Sequence, residues 1–442
     1  MSQELLRRAH EIIGSARKRG AQDVRAYIQR YRDSRAEWRD GQLDRVREST
    51  TMSLDLELYV DGRYSTNSTS DLRPDALGQF LDETVAMTRL LAPDPHRRLP
   101  DPSRYQGRFE GDLQAHDPRG VASLTGSERR RCARVLEEAV RSGTGAERIV
   151  TVSTSSADAE GSWVLATSNG MEGSTRFSNF VLSAEVTVQD EGDRRQRGAS
   201  FCVTTQRDQL ESFDAIGRDA LQRALQGVGA RPEPTGRYAC IIENRYVRRV
   251  LGGLLRPLSG RLLQQERSFL KDKIGEQITN PILSITDDPH VVGSYASRTF
   301  DDEGMATHPR PIFERGQLRN YYLSTYYASK LGLEPTTAGR TNLVFKPGTR
   351  DLTELLRAMG TGLLVTDFSG GNSNAATGDF SVGIRGHWVE NGRIVRPVTE
   401  MNMAGNHLEF WNNLVELGSD VYSYSTYRSP SFRFVDVQFS GT

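Results

Sequence analysis

The chain has 442 residues, and its 57 Lys and Arg residues are balanced by 57 Asp and Glu residues, which leaves a formal net charge of zero. A neutral chain lacks the positive excess that sequence-independent binding to nucleic acid requires, so we do not expect direct nucleic-acid binding. The length is too great for one ordinary hydrophobic core and favours two domains of about 200 residues each.

The cysteines and the apolar runs bear on the compartment. The chain holds only Cys132, Cys202 and Cys240, a sparse and odd set that is typical of a reducing environment. The first 16 residues place Leu, Ile and Ala at helical spacing between Glu and Arg, which predicts an amphipathic helix rather than a signal peptide. No run approaches the roughly 20 apolar residues of a membrane span. We therefore expect a soluble, cytoplasmic protein without membrane contact.

The N-terminal half contains the order helix, antiparallel meander, helix twice. The first copy begins with a predicted helix over residues 2–18, and its clearest strand is the unbroken apolar alternation from Met52 to Val60. The second copy has a predicted helix at 127–141, strands between 147 and 206, and a helix at 213–228. Locally connected strands with helices on one face make an α+β layer. We expect two structurally similar halves that share or stack their sheets.

Two prolines, Pro232 and Pro234, mark a predicted domain boundary. We expect an N-terminal α+β domain over residues 1–232 and a C-terminal β-rich domain over residues 233–442. Strands and hairpins dominate the second domain, which predicts a strongly twisted antiparallel sheet or a partial barrel. The predicted fold class of the whole chain is α+β.

The C-terminal domain opens with a strand and a helix. Residues Tyr238–Ile242 read as a buried strand, and the helix begins after Asn244, with Val247 and Val250 on its apolar face. Pro257 should kink or end this helix, because proline removes a backbone donor and clashes with the preceding turn.

A stretch near the C-terminus combines a small-residue loop over 369–376 with a hairpin that turns at Asn391-Gly392. Asn-Gly supplies the two positive φ angles of a type I′ turn, so the hairpin between Gly383–Glu390 and Arg393–Thr399 is a strong prediction. Clusters of Gly and Asn are usually turns. The alternative is a backbone-lined cleft, where missing side chains let another chain approach. Both interpretations stay open.

From this stretch we select candidates for substrate binding. Three of them, Gly370, Gly371 and Asn372, are candidates for contact with a peptide backbone. The others are expected to hold the surrounding loops: Asn374, Thr377, Asp379 and Asn406. Loops stabilised only by Asn and Asp side chains are the alternative interpretation. No residue is assigned a catalytic or metal-binding role.

The histidines do not form a recognisable metal motif. No two of the seven lie three to five residues apart, which excludes a helical zinc pair. His10-Glu11 opens an HExxH string, but Gly14 stands at the place of the second His. His387 and His407 flank the hairpin, and we expect structural histidines with their hydrogen bonds satisfied. No GxSxG elbow, dinucleotide fingerprint or Walker lysine occurs.

Several carboxylates are candidates for a cation-binding or catalytic site, although no spacing motif supports them. Asp301, Asp302 and Glu303 form an acidic run before Gly304, a composition that suits a hard cation, although a solvated turn is favoured. Asp379 has small neighbours and is a candidate carboxylate in the cleft. An unrelated hydrolase that uses Asp379 or Asp301 therefore stays an open alternative.

Nine strings in this order resemble the TldD/TldE (PmbA) family, most closely its TldE/PmbA branch. They cover essentially the whole chain and are Leu99–Tyr105, Pro234–Gly236, Leu258–Gln277, Phe300–Gly304, Thr325–Gly332, Gly339–Leu343, Thr377–Asp379, Trp388–Ile394 and Ala404–Asn406. Members of this family form a cytoplasmic metallopeptidase and were also named modulators of DNA gyrase.

The sequence departs from the family's catalytic branch at the zinc-binding motif. The family's catalytic branch carries an HExxxH helix after the strand at 238, where two His bind zinc, the Glu is the general base and a C-terminal Cys completes the shell. Here the helix after Asn244 contains no His or Glu, and no cysteine follows Cys240. Gly252 and Gly253 stand roughly where the motif would lie. The resemblance thus implies no cofactor in this chain and zinc in a partner subunit.

The resemblance also implies an assembly and a substrate. It implies a heterodimer with a TldD-like subunit, enclosing a chamber in which extended unfolded or leader peptides are degraded or trimmed. Strand addition explains broad tolerance of side chains, because main-chain groups supply the affinity. The alternative from another class is a homodimeric, non-enzymatic protein that binds peptides or regulates a partner.

Overall fold

The computed structural model describes residues 2–442. Its N-terminal half contains one six-stranded sheet in the order β3-β2-β1-β4-β5-β6. These strands are β1 (Asp23–Arg39), β2 (Gln42–Val60), β3 (Arg63–Thr69), β4 (Ile149–Thr167), β5 (Glu172–Gln189) and β6 (Arg195–Thr204). The helices of this half are α1 (Ser2–Lys18), α2 (Pro74–Thr88), α3 (Pro118–Ser123), α4 (Gly126–Arg141) and α5 (Phe213–Leu225).

The two predicted meanders share this sheet. β1 and β4 join them at its centre, pairing antiparallel from Arg25 to Arg39 and from Ser153 to Thr167. The helices cover one face in two groups, because alternate apolar residues of each meander point to the same side. α1 and α2 pack on the first meander, and α4 and α5 pack on the second. The prediction of a repeated helix–meander–helix unit is confirmed.

The C-terminal half contains two further sheets. A six-stranded sheet runs β14-β13-β12-β7-β17-β15, and a five-stranded sheet runs β10-β9-β8-β11-β16. The strands of the first sheet are β7 (Gly236–Ile242), β12 (Gly362–Ser373), β13 (Asp379–Glu390), β14 (Arg393–Asn406), β15 (Leu414–Leu417) and β17 (Phe432–Ser440). Those of the second are β8 (Ile285–Asp288), β9 (Arg310–Glu314), β10 (Gln317–Leu318), β11 (Asn342–Phe345) and β16 (Tyr427–Arg428).

An additional pairing between β14 and β17 closes five strands of the larger sheet into a ring. The predicted twisted sheet or partial barrel is thus confirmed, with two parallel contacts in an otherwise antiparallel arrangement, β7 with β12 and β11 with β16. A long crossover with several helices separates β7 from β12, which allows the two strands to run parallel. The helices of this half are α6 (Val247–Leu255), α7 (Gly260–Gln264), α8 (Thr325–Leu331), α9 (Leu352–Met359) and α10 (His407–Asn412).

Two predictions made from short stretches of this half, the end of α6 and the turn at Asn391-Gly392, are confirmed. α6 ends at Leu255, and Pro257 lies in the 3₁₀ turn that follows it. Asn391 and Gly392 have φ angles of 49° and 72° and connect β13 to β14 as predicted. No helix among residues 2–442 is both long and apolar enough to cross a membrane.

Candidate functional site

The strand β12 has an edge that is only partly covered. It pairs in parallel with β7 over Leu363–Val365, whereas its other side pairs with β13 as far as Ser373. Within residues 2–442, no strand pairs with the β7-side edge of β12 beyond Val365. Unpaired backbone groups at such an edge can accept an added strand.

The expected loop over 369–376 is wrong in its first part, because residues 369–373 belong to β12. The register shifts between Ser369 and Asn372, so Gly370 and Gly371 form a bulge. Their φ angles are 59° and 83°, and a Cβ on Gly371 would lie 2.3 Å from the carbonyl oxygen of Ser381. Pairing with β13 extends the strand through residues that read locally as a turn.

Four of the candidate residues surround the turn that follows β12. The hydroxyl of Thr377 donates to Asp379 Oδ2 at 2.7 Å, and Asn406 Nδ2 donates to Asp379 Oδ1 at 3.0 Å and to the Thr377 carbonyl at 2.9 Å. The Asn374 N–H donates to the Asp379 carbonyl at 2.8 Å. These contacts hold the turn against β14, and contact with a substrate stays a prediction.

Asp379 is poorly suited to acid–base chemistry in this arrangement. Hydrogen bonds from the side chains of Thr377 and Asn406 lower the pKa of its carboxyl below the usual value. Both carboxylate oxygens are already acceptors, so the ionised form is the one that the turn stabilises. This geometry weighs against a hydrolase that uses Asp379.

The acidic run before Gly304 is divided between solvent and interior: Asp302 is exposed and pairs with Arg298 at 2.9 Å, whereas Asp301 is buried. Asp301 is only 2% exposed, and its Oδ1 accepts hydrogen bonds from the backbone N–H groups of Glu303 and Met305. Burial raises the pKa of Asp301 to about 6 and that of Glu303 to about 7. The expectation of a solvated turn is therefore wrong for Asp301 and correct for Asp302, and the buried Asp301 is out of reach of a substrate.

Helix α6 forms the wall opposite the bulge of β12. A Cβ on Gly253 would lie 2.0 Å from His407 Nε2 and 2.9 Å from Ser373 Oγ, so this position admits only glycine without movement. A Cβ on Gly252 would meet no atom within 4 Å. Gly253 thus lets α6 lie directly against α10 and the end of β12, while Gly252 leaves the wall open.

A cavity of about 480 Å³ lies between α6, the β12 bulge, the start of β13 and α10. Apart from Gly253 and His407, its buried lining is apolar and comes from Val250, Phe380 and Val382. The candidate residues Gly371 and Asn372 also line it, so the structure brings part of the predicted backbone site to this cavity.

His407 lies at the buried side of this cavity. Its Nε2 is 2.9 Å from Ser373 Oγ, and its ring stacks on Phe380 at 4.7 Å between centroids. Burial lowers its pKa to about 4, so the imidazole is neutral at pH 7. Its Nδ1 is buried without a hydrogen-bond partner within residues 2–442, as is that of His387. The expectation that both histidines are fully hydrogen-bonded is wrong.

The side chains around this cavity do not fit a catalytic zinc ion. Such sites take three protein ligands together with a general base. The lining provides one imidazole, already directed at a hydroxyl, and no Asp, Glu or Cys. Across residues 2–442, no group of three or more His, Cys, Asp and Glu side chains is placed to hold a metal ion.

The sequence-based prediction missed three arginines in the lining, Arg249, Arg256 and Arg340. Part of this positive charge could have been predicted, because residues 245–261 contain five arginines and no Asp or Glu. The contribution of Arg340 was not readable, since it reaches the cavity from a distant loop.

Three family models match consecutive parts of the chain. PmbA/TldA metallopeptidase domain 1 matches residues 24–88, the central domain matches residues 120–228, and the C-terminal domain matches residues 235–441. The metalloprotease PmbA of Escherichia coli O157:H7 is 30% identical over 407 residues, which cover 91% of this chain and 89% of that protein. The chain belongs to the PmbA/TldE family.

Two solved structures share the fold of this chain. A protein described as a modulator of DNA gyrase from Bacteroides thetaiotaomicron is 37% identical, with a TM-score of 0.94 over 99% of this chain and 98% of that chain. TldE from Thermococcus kodakarensis has a TM-score of 0.87 over 98% of this chain and all of its own length, at 18% identity. The second likeness shows the fold alone.

Proposed function

We propose that this chain is a TldE-like subunit that lacks its own zinc site and completes a peptidase together with a TldD-like, HExxxH-bearing subunit. One observation carries the proposal: the helix that follows β7 presents Gly252 and Gly253 to the cavity instead of metal ligands. A chain without ligands and a general base has no means of activating water at this place. Its expected contribution is to hold the peptide.

Peptide holding is supported by the geometry of β12. Beyond Val365 its edge pairs with no other strand of the described chain, and the bulge at Gly370–Gly371, whose carbonyls accept from Arg249, carries no side chains that would obstruct an approach. Main-chain pairing accepts many sequences, which suits unfolded or leader peptides in extended form. The candidate contacts are Gly370, Gly371 and Asn372.

The zinc dependence is tested with a quenched fluorescent peptide of unstructured sequence. We expect no cleavage by the purified chain with added Zn²⁺, and cleavage that EDTA abolishes once the TldD-like subunit is added. Replacing the HExxxH glutamate of that subunit by Gln should abolish cleavage by the pair. Cleavage by the lone chain that EDTA stops would refute the proposal.

Strand addition is tested separately with two N-methylated versions of one peptide. Successive N–H groups of an extended peptide point to opposite sides, so methylation of one alternate set blocks pairing with β12 and methylation of the other does not. We expect only one of the two versions to lose binding, measured by fluorescence anisotropy. Equal binding of both versions would contradict strand addition.

The second candidate function is a homodimeric peptide-binding regulator, and its assembly distinguishes it from the first. A chain that forms a stable homodimer, binds peptides and gives no cleavage with any HExxxH subunit would be a peptide-binding regulator, because the β12 edge needs no metal to bind. Light scattering of the chain alone and of the mixture measures this directly.

A further inference from the structure

The cavity beside α6 carries a local charge that the chain as a whole does not have. Arg249, Arg256 and Arg340 contribute guanidinium groups to its lining, and no Asp or Glu lines it. The chain is neutral overall, so this positive excess is a local one. His407 adds nothing to it, because burial keeps its imidazole neutral.

Many arginines of this chain meet a carboxylate, as in the pairs of Arg223 with Glu243 at 2.6 Å and Arg396 with Glu233 at 2.7 Å. Within residues 2–442, none of the three cavity arginines forms an ion pair with a carboxylate. Unpaired guanidinium groups that converge on one cavity favour an anionic ligand.

The arginines are also well placed relative to the β12 edge. Arg249 Nη2 donates to the carbonyl oxygen of Gly370 at 2.6 Å, which fixes its guanidinium beside the bulge. Arg256 and Arg340 are exposed, and their side chains have no hydrogen-bond partner in the described chain. A peptide lying along this edge would therefore place a side chain or its C-terminus among them.

We propose that this cavity selects extended peptides that carry a carboxylate, which the arginines bind at the exposed rim while the apolar base receives a neighbouring side chain. The planar guanidinium fork matches a carboxylate with two hydrogen bonds. The inference rests on the proposed function, because it requires a peptide at the β12 edge. The carboxylate belongs either to Asp or Glu or to the peptide's C-terminus.

The test uses four labelled ten-residue peptides of unstructured sequence. They carry two central glutamates or two glutamines, each with a free or an amidated C-terminus, and anisotropy measures their binding to the full chain. We expect a carboxylate-bearing peptide to bind about tenfold more tightly than the amidated glutamine peptide, a difference of about 1.4 kcal/mol. The difference should shrink from 50 mM to 500 mM salt as the charges are screened.

The peptide pairs also separate the two sources of the carboxylate. A preference for glutamate over glutamine that persists in the amidated peptides assigns the arginines to a side chain. A preference for the free over the amidated C-terminus, seen with both the glutamate and the glutamine peptide, assigns them to the C-terminus. With the double variant Arg256→Gln and Arg340→Gln, the four peptides should bind alike. The matched control is Arg148→Gln, an exposed arginine outside the cavity, and it should keep the preference.

Three results would overturn the inference. Equal affinity of all four peptides for the unaltered chain would remove the selection while leaving the proposed function intact. Absence of any peptide binding, with the chain alone and with its zinc-bearing partner, would remove both. Displacement of the glutamate peptide by a single-stranded oligonucleotide that itself binds more tightly would assign the arginines to nucleic acid.

Discussion

Glu303 is a residue whose protonation should control stability. Burial, and to a lesser degree the nearby carboxylates of Asp301 and Glu57, raise the pKa of its carboxyl to about 7 against the opposing hydrogen bonds from Thr325. A folded-state pKa above the unfolded one means that this stabilisation is complete below about pH 4.5 and is lost as the pH rises through about 7. The native chain at pH 8 therefore holds an ionised carboxylate in surroundings that favour the neutral form.

We expect Glu303→Gln to raise the free energy of unfolding by roughly 2 kcal/mol at pH 8 and by almost nothing at pH 4.5. Glutamine keeps an acceptor for the Thr325 N–H, which now meets Glu303 Oε2 at 2.8 Å. Urea unfolding at the two pH values measures the effect. Glu147→Gln, at an exposed glutamate, is the control and should change neither value. The same gain at both pH values would contradict the assignment.

At the scale of one element, helix α6 provides a matched pair of glycines. Gly253→Ala would drive a Cβ into His407, whose buried ring is stacked on Phe380 and bonded to Ser373, so the imidazole has little room to move. We expect this variant to lower the free energy of unfolding by about 1–3 kcal/mol through overpacking. Thermal or urea unfolding of the whole chain measures the loss.

Gly252→Ala is the control on the same helix. Its Cβ would meet no atom within 4 Å, and alanine is favoured over glycine within a helix by about 0.5–1 kcal/mol. We expect this variant to be as stable as the native chain or slightly more stable. If both variants lose stability equally, the close approach of α6 to His407 is not what requires glycine at position 253.

At the scale of the whole molecule, Phe300 joins the C-terminal half to the N-terminal sheet. Its buried ring packs edge-on against Trp163 at 5.0 Å, and a Cβ on Gly173 would lie 2.4 Å from it. Phe300→Ala should therefore lower the free energy of unfolding by about 3–5 kcal/mol. It should also broaden or split the calorimetric transition, because the two halves lose a shared contact.

Leu43→Ala is the comparison for this prediction. Leu43 lies in β2 and is 44% exposed, so its removal should cause a much smaller loss and leave the shape of the transition unchanged. Equal effects of the two variants would mean that Phe300 does not couple the halves.

Features that depend only on neighbours in the chain could be predicted from the sequence. Strict alternation from Met52 to Val60 specified a half-buried strand, and Asn391-Gly392 specified the hairpin, because backbone geometry at these places is set within a few residues. The nature of α6 was also readable, since a helix without His or Glu offers no zinc pair whatever surrounds it.

The places where these elements meet could not be predicted in this way and emerge from the fold. Residues 369–373 look like a loop in isolation and become a strand because β13 pairs with them. Gly253, Ser373 and His407 come from three separate elements, and Arg340 joins Arg256 from a distant loop. Such contacts depend on packing between remote segments, which local pattern does not encode, so the edge, the cavity and its charge emerged only with the fold.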